Sequence, residues 1–167
     1  MIDDLVSTGR DPLAPDQLDT FGRFVGQWMV ANWSRSSAEG EWVESEFRWS
    51  FAWVLGGRAI QDVIQFRDET RAGWAPPVGT TLRQWMPQHE FWQVTWWCPP
   101  AMEHVVLTGG TEGDRIVLRG VQADGRSVRW AFSEVRDESF VWDGECSDDG
   151  GSTWWHEQHM DARRGSA

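Results

Sequence analysis

The residues best equipped to act on a small molecule lie on either side of a double glycine. A two-residue turn at Gly56-Gly57 sets Leu55 opposite Arg58, Trp53 opposite Ile60, Phe51 opposite Asp62, Trp49 opposite Ile64 and Phe47 opposite Phe66. Directly opposed residues share one face of a sheet. This register therefore carries a carboxylate, Asp62, and a guanidinium, Arg58, to the same side as a row of large apolar side chains. A carboxylate buried there is costly unless paired or protonated. Either Asp62 and Arg58, two residues apart on one face, satisfy each other as a structural pair, or Asp62 is a general acid or base and Arg58 holds an anion. His104 alternates with Met102 and Val106 and is expected inside, as a proton shuttle or a satisfied core histidine. Glu157 could join it there, but two faces of the last strand compete for burial: Trp154, His156, Gln158 and Met160 against Trp155, Glu157, His159 and Asp161.

Fourteen tryptophans and no tyrosine in 167 residues supply the surroundings; average usage would give about two or three. Phe47, Trp49, Phe51, Trp53 and Leu55 alternate with Glu46, Arg48, Ser50 and Ala52, the pattern of a strand with one apolar face. Trp130 shares a face with Val128 and Phe132, Trp142 with Phe140, and Trp97 with Thr95. Trp49, Phe51, Trp53, Trp97, Trp130 and Trp142 are thus expected to wall an interior, with Trp74 in the irregular connection Arg67 to Gly79 acting as part of a lid. For any one ring, core packing is the simpler role. Together they suit a planar conjugated or terpenoid-like ligand, or a cation passing over ring faces. Trp33, Trp42 and one of Trp154 and Trp155 must face outward or lie under loops, available for homodimer contacts.

Several function classes are disfavoured. A formal charge of −11 repels phosphate backbones, and the 15 Lys and Arg are spread along the chain, so nucleic acid is not an expected partner. No apolar run approaches the roughly 20 residues that cross a bilayer as a helix, and the acidic start lacks signal-peptide features. A cytoplasmic setting follows as the expectation, with Cys98 and Cys146 as free thiols. His156 and His159 would lie on opposite faces of a strand, which argues against metal binding. No nucleophile elbow, phosphate loop or dinucleotide fingerprint is present, and no cofactor is expected.

The elements that must position these groups are almost all strands. A short amphipathic stretch comes first, with Asp11 as a cap, Pro12 in its first turn, and Leu18, Phe21 and Val25 on one face. Strands are predicted over Gln27 to Ser34, Glu41 to Leu55, Arg58 to Phe66, Thr80 to Met86, Glu90 to Cys98, Met102 to Thr108, Asp114 to Gln122, Arg126 to Val135, Ser139 to Cys146 and Thr153 to Ala162, punctuated by Gly, Pro and Asp turns. So many short strands leave vulnerable edges unless the sheet closes. The expected architecture is all-β: a lead-in over 1–17, then one domain over 18–164, a closed antiparallel up-and-down barrel of about 8–10 strands with a short N-terminal helix.

Gly26-Gln27-Trp28, after a short helix and opening the first strand, resembles the Gly-x-Trp signature of the calycin superfamily, which includes lipocalins and fatty-acid-binding proteins. The resemblance implies that Trp28 packs across the closed end of the barrel and that a basic residue near the last strand, Arg163 or Arg164, lies on it. Three longer stretches, Trp53 to Val63, Gly79 to Arg83 and Ser147 to Trp154, are similar to a family of bacterial lipocalin-like barrels of uncharacterised function, over nearly the whole chain from about Phe21 to Arg164. That implies a fold and little chemistry, since calycins include carriers, haem proteins, decarboxylases and cyclases. The leading expectation is a Trp-lined barrel that binds a small hydrophobic or aromatic molecule as a cofactor-free cyclase, isomerase or lyase, using Asp62 with Arg58 or His104. The alternatives are a non-catalytic carrier of the same ligand class, a haem or pigment binder with His104 as axial ligand, and an interaction module using exposed tryptophans.

Overall fold

Ten antiparallel strands close into a barrel in the computed structural model, which describes residues 5–68, 70 and 73–165. In chain order the strands are β1 (Gly26–Ser34), β2 (Val43–Val54), β3 (Ala59–Asp68), the two-residue β4 (Gly73–Trp74), β5 (Gly79–Met86), β6 (Phe91–Cys98), β7 (Glu103–Glu112), β8 (Arg115–Val121), β9 (Ser127–Ser133), β10 (Ser139–Ser147) and β11 (Trp155–Arg164). Apart from β4, which pairs only with the end of β3, each strand pairs with its sequence neighbours, and β11 returns to β1. The topology is the expected up-and-down meander, and closure leaves the ten barrel strands without a free edge.

One end is plugged by the segment before β1. A 3₁₀ turn, Asp16–Leu18, and a single helical turn, α1 (Asp19–Gly22), drive Leu18, Phe21 and Phe24 into the barrel. The helix is shorter than its sequence pattern suggests. Asp11, the expected cap, instead accepts the Leu13 backbone N–H at 2.9 Å and pairs with Arg58. Phe21 meets Trp92 edge-on at 4.8 Å, and Phe24 meets Phe140 at 4.8 Å and Phe132 at 5.0 Å. Trp28 closes the plug. Its indole N–H donates to the Phe24 carbonyl at 2.7 Å, and the guanidinium of Arg164 lies 4.2 Å over its ring. Of the two basic candidates for that position, Arg164 holds it; Arg163 is exposed on the opposite side of β11.

The β2–β3 register matches the pattern read from the hairpin, with Phe47 opposite Phe66, Trp49 opposite Ile64, Phe51 opposite Asp62 and Trp53 opposite Ile60. The ladder stops one pair early, at Val54 and Ala59. Leu55, Gly56 and Gly57 all adopt positive φ, a left-handed run that lifts Leu55 and Arg58 out of the sheet. A Cβ on Gly57 would lie 2.3 Å from the Gly9 carbonyl, because the lead-in chain crosses this bend. Arg58 is therefore not in the interior: its side chain is 72% exposed and is bound to Asp11 at 2.6 Å.

Arg164 also donates to the carbonyls of Arg23, Val25 and Asp137, so its loss strips acceptor partners as well as a ring contact. Arg164→Ala is expected to lower stability by about 2–4 kcal/mol, and Arg163→Ala by less than about 0.5, in urea unfolding.

Candidate functional site

With one end filled by aromatic rings, the free volume lies in the other half of the barrel: a cavity of about 210 Å³. Four tryptophans form its walls, Trp49 from β2, Trp96 from β6, Trp130 from β9 and Trp142 from β10. Trp130 and Trp142 meet edge-on at 5.5 Å. Two glycines leave room for these indoles: a Cβ on Gly79 would fall 2.1 Å from the Trp96 ring, and one on Gly144 would fall 2.8 Å from Trp142.

The floor is made by Arg83 and Thr81 on β5, both buried. Arg83 Nη1 lies 2.5 Å from Asp62 Oδ2, with the two side chains 2% and 0% exposed. The other Asp62 oxygen accepts the Thr81 backbone N–H at 2.9 Å. On its far side the guanidinium carbon sits 5.1 Å from the ring centres of both Phe21 and Phe51. The ion pair is thus the partition between the aromatic plug and the cavity. Asp62 is interior, as the hairpin register requires, but its partner is Arg83, two strand positions away across the β3–β5 ladder, and not Arg58.

The mouth is polar. Glu103 accepts the Trp96 indole N–H at 3.0 Å, Cys146 donates to Glu157 at 3.0 Å, and Gln158 donates to Asn32 at 2.6 Å. Burial and the neighbouring Glu157 carboxylate push the Cys146 thiol up, so it stays protonated as that donor. Both cysteines are free thiols, and Cys98 lines the cavity. A bulge explains why the last strand shows no clean alternation. Gly144 faces Gln158 while Glu145 faces His156, which leaves Glu157 as an extra residue. Glu157 and Gln158 therefore both line the cavity. The same bulge corrects the expectation that His156 and His159 take opposite faces: both lie outside, opposite Glu145 and Asp143, with His159 Nδ1 at 2.8 Å from Asp143. Among the described residues, no group of three or more His, Cys, Asp or Glu is placed to hold a metal ion.

The predicted site residues divide. Trp49, Trp130 and Trp142 line the cavity. Phe51 and Trp53 point inward but belong to the closed half: Phe51 packs on Phe24 at 5.8 Å, and a Cβ on Gly22 would touch the Trp53 ring. Trp97 and His104 are corrections. They stack on each other at 5.5 Å on the outer surface, Trp97 being 40% exposed, because β6 and β7 turn Val94, Trp96, Val105 and Leu107 inward. Trp74 lies between the guanidinium groups of Arg48 and Arg67, each 5.1 Å from its ring, on a connection that β4 folds back along β3. It is not a wall of the cavity. Part of the expected lid, Glu69, Arg71 and Ala72, lies outside the described residues.

Sequence reasoning missed Trp96 and Arg83. The alternation Trp92, Val94, Trp96 against Gln93, Thr95, Trp97 carried the signal for Trp96. Arg83 had none, since Thr81, Arg83, Trp85 and Thr80, Leu82, Gln84 are equally mixed faces.

No family model and no curated protein matches the chain. Its fold is similar to two solved structures. One is Rv2717c from M. tuberculosis, with a TM-score of 0.60 and 13% identity over 92% of this chain and 99% of that one. The other is the S-type phycobiliprotein lyase CPES from Guillardia theta, with a TM-score of 0.61 and 11% identity over 89% and 92%. Identities this low carry architecture alone. The fold shared with both is a closed antiparallel β-barrel.

Both the floor pair and the rim have measurable consequences. Arg83→Met strands the Asp62 carboxylate and is expected to cost about 3–5 kcal/mol, while Asp62→Leu combined with Arg83→Met recovers most of that loss in urea unfolding. At the barrel rim, backbone N–H donors from Ser152 and Thr153 and the hydroxyls of Thr153 and Ser147 hold the Asp149 carboxyl down at about 2. A carboxyl depressed in the folded state stabilises above its unfolded value of 3.8, and that contribution fades as pH falls towards 2. The protection of the Ser152 and Thr153 amides, taken relative to their intrinsic exchange rates, should fall over that window, and Asp149→Ala should lack it at every pH.

Proposed function

We propose that the protein binds a small ring-bearing molecule in the tryptophan-walled cavity, as a carrier or binding protein. The observation that carries this reading is the division of the barrel: side chains fill one half, while the other keeps an indole-lined space above a fixed, buried polar pair. Apolar walls with a few placed polar groups are the usual composition of a small-molecule site. A volume of about 210 Å³ is below the roughly 300–1,000 Å³ common for drug-sized ligands. It supports a molecule of one or two rings and argues against a tetrapyrrole. Sharing a fold with a phycobiliprotein lyase is compatible with a conjugated ligand. A histidine-ligated haem gains no support, since none of the four histidines lines the cavity.

The acid–base reading loses two of its three members, because Arg58 and His104 are on the outside. Asp62 remains, but it stands behind Arg83 and is not among the residues that line the cavity. Its role in this reading is to position the guanidinium.

A panel of mono- and bicyclic aromatic compounds tests the proposal through tryptophan emission and thermal shift. A ligand at 100 times its Kd should add about 2.7 kcal/mol to stability and raise Tm by several degrees. Val105→Phe, which fills cavity volume, should weaken binding at least about tenfold while the barrel stays folded by circular dichroism. The proposal fails if no compound changes emission or Tm, or if Val105→Phe binds as well as the parent.

A further inference from the structure

The polar groups around the cavity are unevenly satisfied. At the mouth, Glu103, Glu157, Gln158 and Gln122 each have a protein partner, the last accepting from Arg126 at 3.1 Å. On the Trp49 wall and the Arg83 floor, two donors lack acceptors. The Trp49 indole N–H is buried with no acceptor. Arg83 Nη1 is met by Asp62 Oδ2 at 2.5 Å, while its Nε–H is buried without an acceptor among the described residues. Buried N–H groups in a folded protein almost always find an acceptor, in the protein or in ordered water, so a donor left over beside a cavity is available to whatever fills it.

We propose, resting on the ligand-binding role inferred for this cavity, that the floor is a subsite for a neutral carbonyl oxygen carried on an aromatic ring system, which enters oxygen-first and accepts from Trp49 Nε1 and the Arg83 guanidinium. Both donors belong to residues that line the same cavity. A carbonyl oxygen has two lone pairs and no hydrogen of its own, so it can accept from both without adding an unpaired donor. Charge decides against an anion. Asp62 already balances Arg83, and for the two carboxylates lining the cavity, Glu103 and Glu157, the ion pair formed with a guanidinium among the described residues is that of Arg126, 3.6 Å from Glu157. A carboxylate ligand would enter a space with no net positive charge. A pure hydrocarbon would leave the two donors unpaired, and sites built to hydrogen-bond discriminate strongly against analogues that lack the group. The ligand class is therefore a small aromatic ketone, lactone or comparable neutral carbonyl compound.

Matched probes test this on the full chain by calorimetric titration: 1-tetralone against tetralin, acetophenone against ethylbenzene, and 1,2,3,4-tetrahydro-1-naphthoate as the anionic counterpart. The carbonyl member of each pair should bind at least about tenfold more tightly than its hydrocarbon. Trp49→Phe keeps an aromatic wall and removes one donor, and should cut that advantage to about threefold with the hydrocarbon affinities little changed. The bound carbonyl stretch of 1-tetralone should move to lower wavenumber and return part of the way in Trp49→Phe. Equal affinity within each pair overturns the carbonyl subsite and leaves the binding reading standing. Tightest binding by the tetrahydronaphthoate overturns it in favour of an anion site. If no probe binds, the cavity reading and the subsite fall together.

Discussion

The barrel depends on one buried contact, the Asp62–Arg83 pair. Neither group could stand alone in this interior: each is a charge almost wholly removed from water, beside the rings of Phe21, Phe51 and Phe132. Together they form a neutral unit that spans two adjacent strands and separates the two halves of the barrel. Such pairs seldom add net stability over a well-packed apolar replacement, but removing one partner is severe.

On the side of the plug the main signals converge, though the helix is a single turn and Asp11 does not cap it. The short helix before β1, the Gly-x-Trp opening and the arginine of the last strand come together as a closed aromatic end, with Trp28 held between its own hydrogen bond to Phe24 and the guanidinium of Arg164. On the other side the tryptophans leave a space between them, although Trp130 and Trp142 touch edge-on. Glycines at 79 and 144 stand where side chains would displace Trp96 and Trp142, so the space between the indoles is specified by what the neighbouring strands leave out. The mouth carries the acids and amides, each held by the protein, and the Trp49 wall and Arg83 floor carry the donors that are not.

How far the site was legible depended on each strand's contrast between faces. β2 alternates large aromatics with polar or small residues, and its register with β3 could be read directly, which placed Asp62 and Trp49 correctly. β7 carries apolar residues on both faces, which hides that Val105 and not His104 is interior, whereas in β6 Gln93 and Thr95 mark the outer face that Trp97 shares and leave the inner one to Trp96. The bulge in β11 defeats a period-2 reading altogether, because one inserted residue exchanges the faces on either side of it.

By itself, the amino-acid order determined the things that depend on local patterning, an all-β chain, a closed meander and an acid buried by hairpin register, while the end closed by Trp28 was what the Gly-x-Trp resemblance implied. Only the tertiary structure decided which arginine meets that acid and which indoles bound the cavity. The reason is physical. Alternation fixes a face relative to the same strand and its hairpin partner, whereas the Asp62–Arg83 contact and the cavity arise between faces brought together by closure. Three left-handed residues at Leu55 to Gly57 were enough to send Arg58 outward and leave the inner position to Arg83.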